Sequence, residues 1–323
     1  MSMQIKLEIL NGTLDFINYT KNQVKFEDID NLYGNPNFLG YHQEIECFYL
    51  IIELNNNIVS YLPFTIRDNS ILSHGGGTYG GFIQIKDLNI EEVNEIENDL
   101  IKFLRLKGFD SLVIRFLPEL FWNGHSSLNS YFLSKMESLF QEEEFYLSLD
   151  ENLDNINDLN FRRNHKRDIK KFLQNDFEFI SCQNNEDVAI FYEILENNLI
   201  KHEVTPTHTL DDLIWLFSNI KDKIAISLIK SEKEYLAGLA LFNINSSTDY
   251  VMYGSLNYNS NSSGALKYLY WKVALSSYIS GKKYLSLGIN TKHDEPKNLP
   301  LEVFKLGLGA EVVERHTKTL YTK

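Results

Sequence analysis

At 323 residues the chain is long enough for two domains of ordinary size, and 43% hydrophobic with 13% aromatic content excludes a disordered protein. A formal net charge of −13 argues against a broad nucleic-acid face, which needs Lys and Arg clustered across a surface, so no nucleic-acid partner is expected. Two isolated cysteines, Cys47 and Cys182, make neither a disulfide framework nor a Cys-x-x-Cys pair. The opening MSMQIKLEIL has no basic start, apolar core and small-residue cleavage site, so it is not read as a signal peptide. Apolar runs such as residues 47–52 are too short to cross a bilayer. A soluble, cytoplasmic protein without a membrane span is the expectation.

A loop is expected around Tyr33-Gly34-Asn35-Pro36. Residues 48–54 and 58–66 read as strands about an Asn55-Asn56-Asn57 turn. A third strand at 70–73 leads into His74-Gly75-Gly76-Gly77-Thr78-Tyr79-Gly80-Gly81. No helix follows these glycines at once, so they read as turns and bulges rather than a phosphate cradle. Residues 91–106 carry apolar groups at helical spacing with acids in the first turn, where the helix dipole favours them. Gly108 ends that helix and 111–116 is another strand. An acidic tract, 141–144, and a polar run, 150–160, read as the connection between two halves.

The second half repeats this layout. The segment around 224–242 is again strand, polar turn, strand, and Tyr253-Gly254 and Gly281 recur at nearly the same offset from Tyr79-Gly80 and Gly108. One β-rich unit with an inserted helix therefore occurs twice, expected over 1–150 and 151–323. Residues 249–258 read as a strand, 265–277 as a helix and 284–287 as the next strand. The loop of Ser262, Ser263 and Gly264 opens the helix at Ala265, so free backbone N–H groups there suit an anion.

Between the halves, 161–173 is the strong basic cluster, with Arg163, Arg167 and Lys170 or Lys171 on one side of a helix. It reads as a solvated face or as a phosphate anchor. Two helices, 187–199 and 210–217, flank a His/Pro loop with His202 and His208. These, with Tyr253 and the acids, are the candidate general bases. Their spacing is not that of a zinc site, and no metal is expected. Lys305, after Phe304 and before a glycine-punctuated turn, is either a surface lysine or a cation aimed into a cleft.

The ordered set of residues 236–242, Tyr253-Gly254-Ser255, Gly264 with its helix, Gly288-Ile289-Asn290 and FKLGLGA at 304–310 resembles the FemAB-like branch of the GNAT acyltransferases. RRNHKRDIKK resembles that group's basic helix and KHEVTPTHTLDDLIWL its His/Pro loop. ILSHGGGTYGGFI resembles its N-terminal domain. The resemblance implies an α/β (α+β) fold of two tandem GNAT-like domains, each a mixed, mostly antiparallel sheet flanked by helices. It also implies N-acyl transfer, with acyl-CoA as co-substrate. The pyrophosphate loop keeps only Gly264-Ala265 of the typical GNAT pattern, with Asn261 where Arg or Gln would stand.

On this resemblance the donor lies along a splayed strand at Tyr253-Gly254-Ser255 and its phosphates at Ser262, Ser263, Gly264 and Ala265. His208 is the base, Tyr253 protonates the leaving thiolate, and Lys305 stabilises the oxyanion or holds a diphosphate. Arg162, Arg163, His202, Asn290 and Tyr79 bind the acceptor. The acceptor is expected to be a nucleotide-linked (dTDP) amino-dideoxy sugar for a lipopolysaccharide or capsule. The alternatives are a FemX-like aminoacyl-tRNA-dependent transferase acting on a peptidoglycan precursor, and a non-catalytic nucleotide-sugar binding module.

Overall fold

The computed structural model describes residues 3–41, 45–149, 160–201, 204–258, 264–290 and 297–323. The chain runs β1 (Ile5–Asn11), α1 (Thr13–Thr20), α2 (Pro36–Leu39), β2 (Phe48–Leu54), β3 (Asn57–Arg67), β4 (Ser70–Ser73), β5 (Ile83–Gln84), α3 (Ile90–Leu106), β6 (Ser111–Arg115), α4 (Ser127–Lys135) and β7 (Glu137–Ser148). It continues α5 (Arg163–Phe172), β8 (Glu178–Ser181), α6 (Asn185–Ile200), α7 (Leu210–Asn219), β9 (Ile224–Lys230), β10 (Tyr235–Asn245), β11 (Thr248–Leu256), α8 (Ala265–Ile279), β12 (Tyr284–Ile289), α9 (Leu299–Gly307) and β13 (Glu311–Tyr321).

Two compact units result, one of residues 1–142 with 314–323 and the other of residues 143–313. In the first, the strand order is β1-β2-β3-β4-β6-β13, with β5 paired to β3. Its one parallel step is β4–β6, the two strands that α3 connects. In the second, the order is β8-β9-β10-β11-β12-β7, and the parallel step is β11–β12, connected by α8. Each unit is thus a mixed, mostly antiparallel sheet flanked by helices, and the two share one topology. The sequence reading placed a single boundary after residue 150. The units divide instead within β7 and within β13, because each half sends its last strand to the other unit's sheet: residues 144–148 pair with β12, and residues 317–321 pair with β6. The acidic tract read as a connection is therefore strand.

Local chemistry sets the helix ends. Asn89 accepts from the backbone of Glu91 and Glu92, and Glu92 returns a bond to Asn89, a capping box that starts α3. Thr209 and Asp212 do the same for α7. Gly108 and Gly281 take positive φ just past α3 and α8, the left-handed turn that glycine adopts without steric cost.

In the second unit, α5, α8 and α9 cover one face of the sheet over a core that includes Phe145, Leu147, Leu239, Val251, Leu269, Val273 and Leu285. Helices α6 and α7 cover the other face, where Phe191 and Leu213 are buried. Leu269→Ala, at a fully buried position, should lower the unfolding free energy by about 2–5 kcal/mol in urea titrations. Leu106→Ala, on a side chain that is 86% exposed, should leave it within about 0.5 kcal/mol. Equal effects would contradict this account of the core.

Candidate active site

The site is built around the end of the parallel step in the second unit. Strands β11 and β12 pair only at Thr248–Tyr284, Asp249–Leu285 and Tyr250–Ser286. Beyond these, β11 runs on to Leu256 and β12 to Ile289 with no further pairing between them among the described residues. Both strands shift register here. Ala240 faces Tyr253 but Leu241 faces Val251, so Met252 is an extra residue. Ser286 faces Tyr146 but Gly288 faces Phe145, so Leu287 is another.

The extra residue at Met252 decides which way Tyr253 points. Val251 packs in the core on the α8 side. Simple alternation would send Tyr253 there too, whereas the shift pairs it with Ala240 and turns it to the α6–α7 side. There it meets His208, the residue before the Thr209 cap of α7. The His208 backbone N–H donates to Tyr253 Oη at 3.2 Å, and Nδ1 lies 2.8 Å from the same oxygen. The arrangement is satisfied when Tyr253 accepts the backbone N–H and donates its own proton to Nδ1, which puts the ring hydrogen on Nε2. Burial pushes the Tyr253 phenol up, against the lowering influence of the His208 and Thr207 hydrogen bonds. The hydroxyl thus keeps its proton at neutral pH.

Gly254 falls on the opposite face. A Cβ there would stand 2.5 Å from the Tyr270 hydroxyl, so glycine lets this α8 side chain reach the strand. Asn257 N donates to Leu236 O at 2.9 Å, and in this register the amides of Ser255 and Tyr253 also face β10. Those of Gly254 and Leu256 then face the gap. The fully buried Ser255 Oγ takes no hydrogen bond from a described residue.

On the other bank, Lys305 in the last turn of α9 is only 4% exposed. Its Nζ donates to Gly288 O at 2.9 Å and Ile289 O at 2.7 Å, and lies 5.3 Å from the centre of the Phe145 ring. Asn290 Nδ2 donates to Glu302 Oε2 at 2.8 Å, and its buried Oδ1 has no partner among the described residues. Lys305 is therefore no surface lysine.

Helix α5 stands beside the start of α8. A Cβ on Gly264 would stand 2.7 Å from Asp168 O and 2.6 Å from Phe172 Cβ, and Ala265 is buried. Asp168 pairs with Lys267 at 2.5 Å. Ile169 and Phe172 turn inward, while Arg162, Arg163, Arg167, Lys170 and Lys171 are exposed. His165 fixes the other end of α5 on α9, with its ring against Phe304 and against the bare Cα of Gly307. Of the remaining candidates, Tyr79 lies in the first unit. It is 1% exposed, edge-on to Tyr33, with the Arg315 guanidinium 5.9 Å from its ring centre. His202, Ser262 and Ser263 lie outside the described residues. No group suited to a metal ion occurs among the described residues, and no helix of these is long and apolar enough to cross a membrane.

Solved structures share this architecture. FemX aligns over 98% of the chain and 97% of its own length, at 12% identity and a TM-score of 0.65. L-PGS from Bacillus licheniformis aligns over 82% of both chains, at 11% identity and a TM-score of 0.56. A tandem GNAT protein from the clavulanic acid biosynthesis pathway aligns over 98% and 99%, at 9% identity and a TM-score of 0.50. The fold is that of FemX and the tandem GNAT proteins. Identities this low make the likeness one of fold, and no protein-family model or curated protein matches the sequence.

Tyr270, Ser286 and Glu144 were not singled out from the sequence as site residues. Tyr270 lies within the helix expected over 265–277, and only the absence of a side chain at Gly254 gives its hydroxyl a place. Glu144 sat in an acidic tract, and its one signal is the apolar run Phe145-Tyr146-Leu147 that follows it.

The imidazole of His165 is pushed down to about 4, first by burial and then by Lys267 and Arg162, with Asp168 acting the other way. The unfolded chain takes up this proton near 6.5 and the folded chain resists it. The contribution is thus fully present above pH 6.5 and is lost as pH falls towards 4. Urea unfolding of the wild type should lose stability over this window more steeply than H165Q, by at most about 1.4 kcal/mol per pH unit. Parallel curves would refute the assignment.

Proposed function

We propose that the protein is an N-acyltransferase that moves an acyl group from acyl-CoA to the amino group of a nucleotide-linked amino sugar, such as a dTDP-amino-dideoxyhexose used in surface polysaccharide. The observation that carries acyl transfer is the gap between β11 and β12, with the Gly254 amide facing it and the Tyr253–His208 pair beside it. A thioester lying in this gap has its carbonyl oxygen polarised by the Gly254 N–H, which becomes more valuable as charge develops on that oxygen. The neutral amine attacks the carbonyl carbon, and the C–S bond breaks as the tetrahedral intermediate collapses. The proton lost by nitrogen passes to Tyr253 Oη while Tyr253 passes its own to His208 Nδ1, and the same route returns a proton to the leaving thiolate.

Lys305, seated at the end of β12, supplies positive charge for the oxyanion or for a diphosphate. Arg162 and Arg163 offer bidentate contacts to the nucleotide diphosphate, and the start of α8 at Gly264 and Ala265 offers amides to the donor's phosphates. Ser255 and Asn290, each with a buried oxygen lacking a partner among the described residues, offer polar contacts to the substrates.

A second reading takes aminoacyl-tRNA as donor and a peptidoglycan precursor as acceptor. The exposed basic side of α5 favours it, being a local site for phosphates on an acidic chain. The deciding experiment follows thiol release from a panel of acyl-CoAs with amino-sugar nucleotides, beside discharge of aminoacyl-tRNA. With a productive acyl-CoA, His208→Ala and Lys305→Ala should each lower kcat by about a hundredfold or more. Full turnover in both variants at saturating substrates would refute these roles, and tRNA discharge without thiol release would replace the first reading by the second.

A further inference from the structure

Strand β7 carries a carboxylate into the interior of the second unit. Glu144 is fully buried, and the next three residues, Phe145, Tyr146 and Leu147, are buried too. A carboxyl group at such a position costs free energy that an apolar side chain would not, so its retention calls for a role. Its first neighbour is Ser286, the last residue of β12 still paired with β11. Ser286 Oγ donates to Glu144 Oε1 at 2.5 Å. The same hydroxyl accepts the Gly288 N–H at 3.1 Å. With its one proton given to Glu144, the hydroxyl has a fixed orientation and must receive at Gly288.

Gly288 has φ +69, and a Cβ there would stand 2.9 Å from the Tyr250 hydroxyl, so the backbone turns where only glycine fits. That turn aims the Gly288 carbonyl at Lys305 Nζ. Glu144 also pairs through its backbone with Ile289, whose carbonyl receives the same ammonium. A path thus runs by hydrogen bonds from Glu144 through Ser286 to the Gly288 N–H, across the Gly288 backbone, and by a further hydrogen bond from its carbonyl to Lys305.

We propose that Glu144 is a positioning residue: it orients the Ser286 hydroxyl, which holds Gly288 in the turn that seats the Lys305 ammonium on the carbonyls at the end of β12. The strand that supplies it comes from the N-terminal half of the chain, so the site is complete only when that strand is exchanged. This inference rests on the reading of Lys305 as a working residue, and its test has an arm that does not depend on turnover. In full-length protein labelled with 15N-lysine, the Nζ–H signal of Lys305 is assigned by its loss in K305R.

Ser286→Ala and Glu144→Ala should displace that signal and lower kcat for thiol release by roughly tenfold to a hundredfold, with the donor KM little changed. Glu144→Gln should restore both, because its amide oxygen accepts the same Ser286 proton. S286A removes a single oxygen and carries the test if E144A fails to fold. An unmoved Lys305 signal in folded S286A would overturn the proposal, as would an E144Q signal displaced as far as that of E144A. Absence of thiol release from the wild type would count against the acyl-CoA reading, and the Lys305 signal would still decide the role of Glu144.

Discussion

Two single-residue register shifts, at Met252 and Leu287, govern the candidate site. A β-strand alternates its side chains, so one extra residue turns everything beyond it to the other face. The shift at Met252 sends Tyr253 to His208 and leaves Gly254 beneath the Tyr270 hydroxyl. The shift at Leu287 brings Gly288 opposite Phe145 and under Lys305. Both come within two residues of the last mutual pair of β11 and β12, Tyr250–Ser286, so the strands diverge and change facing close together.

The first unit shows what the same topology does without that divergence. There β4 and β6 pair over four residues, and Gly80 pairs again with Phe116 after the His74–Thr78 loop. A Cβ on Gly80 would stand 2.2 Å from Ser73 O, so the chain closes tightly on itself. The conserved topology of the two units therefore carries two different strand ends, and only the second keeps an open one.

Charge is distributed in the same selective way. The chain is acidic overall, with a formal charge of −13, yet α5 presents cations outward because Ile169, Phe172 and His165 hold its other side against α8 and α9. Net charge speaks to the average surface, whereas a phosphate responds to the field within about a Debye length. The alignment of this helix with the start of α8 puts that local field near backbone amides, which a composition average does not report.

The sequence by itself determined the duplication and the strands and helices that carry the clearest local patterns, among them β2, β3, α3, β6, α6, α7, β11 and α8. Hydrophobic periodicity, the Asn89 and Thr209 capping boxes and the glycines at 108 and 281 act within a few residues, so they can be read in one dimension. The basic helix, the His208 loop and the FKLGLGA segment were legible as candidates for the same reason, and Tyr79, named with the acceptor-binding residues, lies packed in the first unit. Tertiary structure alone decided the exchange of β7 and β13, the shifts at Met252 and Leu287, the Tyr253–His208 contact and the burial of Glu144. Each depends on which strand lies alongside, a choice made by residues as far as 210 positions away, as between Ser111 and Tyr321. Local pattern gives a strand its two faces, but only its partner fixes which face, and which neighbour, a given side chain meets.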